Sequence, residues 1–234
     1  QIYVFLPNIK PYIMDQILNA DNPFILYDSQ IFEIQKFGGI SRYFCEIMSH
    51  MTFKYDVATQ YSENYYLKEY HIKSHIKSVP HFIFKHKSHK FYAHNRELIK
   101  TLMDTTDRYI FHPTYYDPYF LDSLNGIPYV ITVHDMIHEL FPNDFSDAQE
   151  VIQRKKETIA RADKIIAISE NTKKDIINIL NIPPEKISVI YHGASIFSKR
   201  NHYRLSLPER YVLFVGDRTF YKNFQRLIEA FGII

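Results

Sequence analysis

Residues 127 to 136 read I-P-Y-V-I-T-V-H-D-M, a short apolar run that stops on His134 and Asp135. Pro128 to Val133 is β-branched and aromatic, the pattern of a central parallel strand buried on both faces. In an open α/β sheet, ligands sit just beyond the carboxyl ends of the strands. An imidazole and a carboxylate placed there stand where chemistry is done. An isolated His-Asp pair can equally just start a turn, so the neighbouring segments decide.

Working outward, Phe24 to Ile31 (F-I-L-Y-D-S-Q-I) reads as the first strand of the sheet and leads into Gly38 and Gly39. Apolar residues at 40, 44, 47, 48 and 51 then have helical spacing. Two glycines before a helix let a ligand approach the backbone, and the free amides and dipole of the helix start favour an anion. Tyr55 to Gln60 is a second strand. Tyr109 to Pro113 is another, ending on His112. Ser146 is placed to cap a helix running to Ala162. Lys164 to Ile168 is a buried strand, and Ser169 caps a helix through Leu180 that Asn181 to Glu185 (N-I-P-P-E) breaks. Ile187 to Tyr191 ends at His192 and Gly193. Strands alternating with helices predict a doubly wound, Rossmann-like parallel sheet, because parallel neighbours need crossover connections. Parallel strands share one carboxyl edge, so His112, His134, Ser169 and His192 are expected on one rim.

The 234 residues are 46% hydrophobic and 23% charged with a net charge of +2, ordinary for a globular protein and with nothing overall that calls for nucleic acid. Cys45 is the one cysteine, so no internal disulfide forms; it lies in an apolar helical pattern and reads as core. No run reaches the roughly 20 apolar residues of a membrane span. Residues 1 to 23 have no assigned role; the apolar I-Y-V-F-L near the start has no basic region before it and does not read as a signal peptide. Residues 68 to 100 carry seven Lys and one Arg against Glu69 and Glu97, together with six of the twelve His. Such a segment suits anionic headgroups or the phosphates of a lipid-linked acceptor, or is simply a solvated helix and loop face. The histidines there lack metal-ligand spacing. Residues 195 to 210 have the composition of a linker. Tyr211 to Val215 (Y-V-L-F-V) then reads as a strand opening a second domain, followed by Gly216, Asp217, Arg218, Lys222 and a helix from Asn223 to Phe231. A basic pair beside a glycine after a strand suits a diphosphate. One strand and one helix cannot bury their own apolar faces, so this unit packs on the first domain or is completed by more chain. A start on Gln and an end on F-G-I-I suggest a cut piece.

Six motifs in order carry a resemblance: F-G-G-I-S-R-Y (37 to 43), F-H-P-T-Y-Y (111 to 116), T-V-H-D-M (132 to 136), I-I-A-I-S-E-N-T-K-K-D-I (165 to 176), V-I-Y-H-G-A (189 to 194) and L-F-V-G-D-R-T-F-Y-K-N-F (213 to 224). Together the sequence resembles the nucleotide-sugar-dependent glycosyltransferases of family 4, group 1. The resemblance implies the two-domain GT-B architecture: an acceptor-side Rossmann-like domain over 24 to 194, a linker over 195 to 210, and over 211 to 234 the start of a donor-binding domain, itself a fragment. It implies that Gly38 and Gly39 form the loop under the donor diphosphate or the acceptor. His134 would face the transferred sugar, and Arg218 and Lys222 would hold the diphosphate and assist its departure. Arg42, His112, Asp135, Ser169, His192 and Gly193 complete the expected donor- and acceptor-binding set.

Family members retain anomeric configuration and generally need no metal or other cofactor beyond the nucleoside diphosphate sugar. The implied reaction is transfer of a hexose, mannose by the subgroup, to a polysaccharide or lipid-linked glycan at the cytoplasmic membrane face, as in lipopolysaccharide or capsule synthesis. The sequence departs from the usual pattern at Asp217, where arginine is commonest, and at His192 and Ser195, where asparagine and aspartate are usual. The glutamate-rich donor motif is not in these residues, so the chain is expected to be inactive alone. Competing expectations are a nucleotide-sugar epimerase of the same fold, for which a carboxylate-rich rim would be needed, and a non-catalytic module that binds a glycan or lipid acceptor.

Overall fold

The computed structural model describes residues 24–77, 81–106, 108–194, 208–216, 218 and 222–233. The N-terminal segment 1 to 23, most of the linker reading and Asp217 lie outside them. Six parallel strands form the frame: β1 (Phe24–Tyr27), β2 (Lys54–Val57), β3 (Ile110–His112), β4 (Val130–Val133), β5 (Lys164–Ala167) and β6 (Ile187–Val189). They pair as β2-β1-β3 and β4-β5-β6. A parallel bridge between Phe111 and Tyr129, with the Phe111 amide donating to the Pro128 carbonyl at 3.0 Å, joins the two halves. The order is therefore 2-1-3-4-5-6, with the reversal of winding at β1 and β3 that marks the ligand crevice of such sheets.

Neighbouring residues on a strand face opposite sides of a sheet. Leu26 belongs to one apolar core and Tyr27 to another, so both faces of β1 are covered. The Leu26 side packs Ile99 and Met103 of α4 (His81–Thr105), Ile159 of α6 (Ala148–Arg161) and Ile176 of α7 (Glu170–Leu180). The Tyr27 side packs Phe44, Cys45 and Met48 of α2 (Gly39–His50), the helical stripe expected there. Each fully buried Phe contributes roughly 1.5–3 kcal/mol, and Phe111, at 0% exposure, lies where the half-sheets meet. In β4, Ile131, Thr132 and Val133 are all buried, as a central strand requires.

Several boundaries differ from the sequence reading. The first strand stops at Tyr27, and Gln30–Ile34 forms a short helix, α1, because the Asp28 carboxylate accepts the Gln30 amide and turns the chain. A helix thus separates β1 from the glycines. Helix α6 is capped at Asp147, one residue beyond the expected cap Ser146. Short helices α3 (Tyr65–Glu69) and α5 (Ile137–Leu140) were not anticipated. Asn181 ends α7 in the left-handed region at φ 54°, which asparagine tolerates. Residues 211–215 form no strand among the described residues: the chain there is irregular, and Tyr211, Val212, Leu213 and Val215 are exposed. An apolar run becomes a strand by pairing, and among the described residues nothing pairs with it. Helix α8 (Phe224–Phe231) forms after Asn223 with no buried residue. Among the described residues, no helix is long and apolar enough to cross a membrane.

Candidate functional site

The carboxyl ends of β3, β4 and β6 bring three of the predicted histidines together. The His134 ring lies 6.1 Å from that of His192. His112 sits one strand over and donates to or accepts from Thr132 Oγ1 through Nε2 at 3.0 Å. Tyr43 of α2 joins them: its ring meets His134 edge-on at 5.0 Å and lies against His192 at 5.0 Å, while its hydroxyl reaches the same Thr132 Oγ1 at 3.2 Å. Phe44 adds a second aromatic edge to His112 and His134. Thr132 therefore links a tyrosine on the glycine-loop helix to a histidine on the neighbouring strand.

Burial, then the neighbouring His192, pushes His134 down to about 4. Burial and His134 push His112 down to about 3. His192 is lowered by the partial burial of its ring. Burial raises Tyr43 to about 12. At neutral pH the cluster is uncharged, a set of hydrogen-bonding and stacking groups without a cation. His134 Nε2 is buried with no hydrogen-bond partner among the described residues. Such an atom forfeits about 1–3 kcal/mol unless something supplies a partner.

Beneath this rim lies a charged pair that spacing alone did not reveal. Lys155 of α6 and Glu139 of α5 are each 2% exposed in their side chains and 3.2 Å apart. Lys155 Nζ also donates to the Asp135 carbonyl at 3.0 Å and stands 3.5 Å from Asp135 Oδ1. Asp135, half open to solvent, otherwise accepts the Ile137 amide at 3.3 Å. A lysine at an inward position of a helix was the available signal, as was a threonine inside an apolar strand.

The β1 end carries Asp28, a buried carboxylate not anticipated at any strand end. It accepts the Thr114 amide at 2.8 Å and hydroxyl at 2.6 Å, the Gln30 side chain at 2.7 Å and the Tyr119 hydroxyl at 3.2 Å. Burial raises its pKa and these donors pull it back. Asp28 is thereby spent on closing the crevice between β1 and β3.

The other predicted residues are placed differently. Ser169 is the N-cap, its hydroxyl accepting the Thr172 amide at 3.1 Å. Arg42 turns to the Tyr70 hydroxyl at 3.3 Å and Glu46 at 3.4 Å, while Tyr43, the next residue, faces the histidines. Gly193 follows His192 in exposed, irregular chain. At the glycine pair, Ser41 N, one of the amides at the start of α2, is already taken by Gln35 Oε1 at 3.1 Å. A Cβ at Gly38 would fall 2.1 Å from that same oxygen, whereas one at Gly39 would meet nothing. Arg218 lies over the Phe224 ring at 5.0 Å and Lys222 directly precedes Asn223 and α8, so what is described of the basic pair is local to that stretch.

Among known proteins, an uncharacterised glycosyltransferase of Methanocaldococcus jannaschii is 26% identical over 123 residues, a match covering 47% of this chain and 32% of that protein. The chain thus aligns with about a third of that relative's length. The family model for Glycosyltransferase Family 4 matches residues 37–196, from the glycine loop through β6 and His192, more than half of the chain. With five of the six described strands and the histidine rim inside that match, the chain belongs to glycosyltransferase family 4.

Proposed function

We propose that the protein transfers a hexose, mannose by its subgroup motifs, from a nucleoside diphosphate sugar to a polysaccharide or lipid-linked glycan, with retention of anomeric configuration. Residues 24 to 194 are the acceptor side and residues 211 to 234 belong to the donor side. The observation that carries the reading is the buried, unpartnered Nε2 of His134 at the end of a central strand. A neutral imidazole there can donate to or accept from a sugar hydroxyl, and orients the sugar without acting as nucleophile. Departure of the nucleoside diphosphate builds negative charge on phosphate oxygens, which fixed cations stabilise. Arg218 and Lys222 supply that charge in this reading, with no metal ion involved. Gly39 leaves its backbone uncovered for a phosphate or acceptor, while Gly38 gives its space to the Gln35 amide, and His112, Asp135, His192 and Gly193 complete the binding set in this reading.

The test is release of nucleoside diphosphate by the full-length protein across a panel of nucleoside diphosphate sugars. His134→Ala is expected to lower turnover on the preferred donor by about a hundredfold. Turnover within twofold of wild type in that variant, or no turnover of any donor by the wild type, defeats the reading.

The proposal extends to location, at the cytoplasmic face of a membrane. Lys68, Lys73, Lys77, Lys85, Lys87, Lys90 and Lys100 are all exposed, and Phe82 beside them is 66% exposed. Basic side chains near an anionic surface each contribute about 1 kcal/mol at short range. Co-sedimentation with anionic vesicles at low salt, lost on raising the salt, is the expected outcome; equal affinity for neutral vesicles counts against it.

A further inference from the structure

A buried ammonium-carboxylate pair is a poor way to stabilise a fold. Desolvating both ions costs several kcal/mol, and well-packed neutral residues of similar size are often as good or better. The Lys155 and Glu139 pair is nearly sealed from solvent, and Glu139 Oε1 has no partner among the described residues. What the pair does with specificity is grip the backbone around His134. On one side, the Tyr116 hydroxyl accepts the His134 amide at 3.3 Å and donates to the Thr132 carbonyl at 3.4 Å. On the other, Lys155 Nζ holds the Asp135 carbonyl at 3.0 Å. The two grips are themselves in contact, because Lys155 Nζ stands 5.3 Å over the Tyr116 ring, an arrangement favoured by the ring quadrupole. The His134 side chain makes edge contacts with Tyr43 and Phe44 and leaves Nε2 unbonded, so its aim is set largely by the chain on either side.

We propose that Lys155, held by Glu139, is a positioning residue that fixes the turn at Asp135 and so the direction in which His134 presents Nε2 to the sugar. This rests on the glycosyl-transfer reading for its consequence in turnover, though not for its geometry. Lys155 touches no substrate; it acts through the Asp135 carbonyl. A side chain misplaced by about 1 Å can cost up to a hundredfold in rate even where the mutation lies away from the chemistry. The groups around His134 that also bear on its protonation are His192, His112, Tyr43, Tyr116 and the Asp135 carboxylate.

The experiment uses the full-length protein and the double variant Lys155→Met/Glu139→Gln, which keeps volume and removes both charges together. Expected are an unfolding midpoint no lower than wild type, kcat for donor turnover lowered about tenfold with KM within twofold, and an upward move of the His134 imidazole titration followed by NMR. The last change arises because the ammonium disfavours the imidazolium and confirms that the charge is gone; the fall in kcat at unchanged KM with the fold intact is what a merely structural role would not produce. A double variant that does not fold shows the pair serves the fold and overturns the proposal. So does one that folds and keeps both wild-type kcat and the wild-type His134 titration. If the wild type turns over no donor, the glycosyl-transfer reading falls by itself, and NMR contacts of the His134 ring with those of Tyr43 and Phe44, altered or unaltered in the double variant, still decide whether Lys155 sets His134.

Discussion

The carboxyl rim of this sheet has two neighbouring polar sites built on opposite terms. At the β1 and β3 ends, Asp28 takes donors from Thr114, Gln30 and Tyr119 until the crevice is closed by the chain's own hydrogen bonds. At the β4 end, His134 is walled by aromatic rings and held by its backbone, and its Nε2 is buried without a partner among the described residues. Both residues follow a buried strand, though only His134 was a candidate from the sequence. Their partners separate them: the hydrogen bonds of Asp28 are made inside the chain, whereas a buried atom with none, such as His134 Nε2, calls for an explanation, which the proposed function supplies.

Asp28→Ala attacks the closed site. It strands the Thr114 amide and the Tyr119 hydroxyl in a buried setting, and a loss of about 3–5 kcal/mol in urea unfolding is expected. A loss below about 1 kcal/mol would erase the distinction between the two sites. The His134→Ala variant, by contrast, removes an atom that has no bond to lose, so its effect falls on turnover.

Acid sharpens the comparison with a smaller effect, because the two sides respond with opposite sign. Glu33, which accepts Ser29 and Asn95 beside the closed site, is raised by burial from 4.5 to about 7. The folded chain keeps a proton there that the unfolded chain releases, so this contribution is present below pH 4.5 and is lost as pH rises through 7. His134 is lowered from 6.5 to about 4, so its contribution is present above pH 6.5 and is lost as pH falls through 4. Each shift corresponds to at most about 3 kcal/mol. Relative to wild type, Glu33→Gln should therefore gain stability with rising pH and His134→Gln should lose it. Urea unfolding at pH 4.5, 6 and 8 reads both; parallel profiles would show that the two edges titrate alike.

The strands of the sheet could be read from the sequence because parallel strands buried on both faces leave unbroken apolar runs, and β3 to β6 lie where those runs are. The run at β1 misled at its end, since Ile31 and Phe32 continue the apolar pattern after Asp28 has already turned the chain into α1. The run at 211–215 is apolar like a strand yet unpaired among the described residues, because pairing is a property of the neighbour. At the rim, His112, His134 and His192 were legible as polar residues closing apolar strands. Tyr43 was not singled out although it lies one helical turn past Gly39: its contact with Thr132 spans 89 positions, and no local pattern encodes which helix face meets which strand. Lys155 and Asp28 escaped for the same reason, as their partners are brought by the crossover connections.

The glycine pair at the start of α2 looks like one motif, yet its halves have different surroundings. At position 38 any side chain must evict the Gln35 amide, and with it the acceptor for the Ser41 N–H, a loss comparable to removing a helix cap at about 1 kcal/mol. Position 39 begins the helix in open space, where a methyl group meets nothing and alanine is the better helix former. In a library of random variants, position 38 is expected to carry a modest stability cost and position 39 none, so one short motif divides into a residue fitted to its neighbour and a stretch of backbone left uncovered.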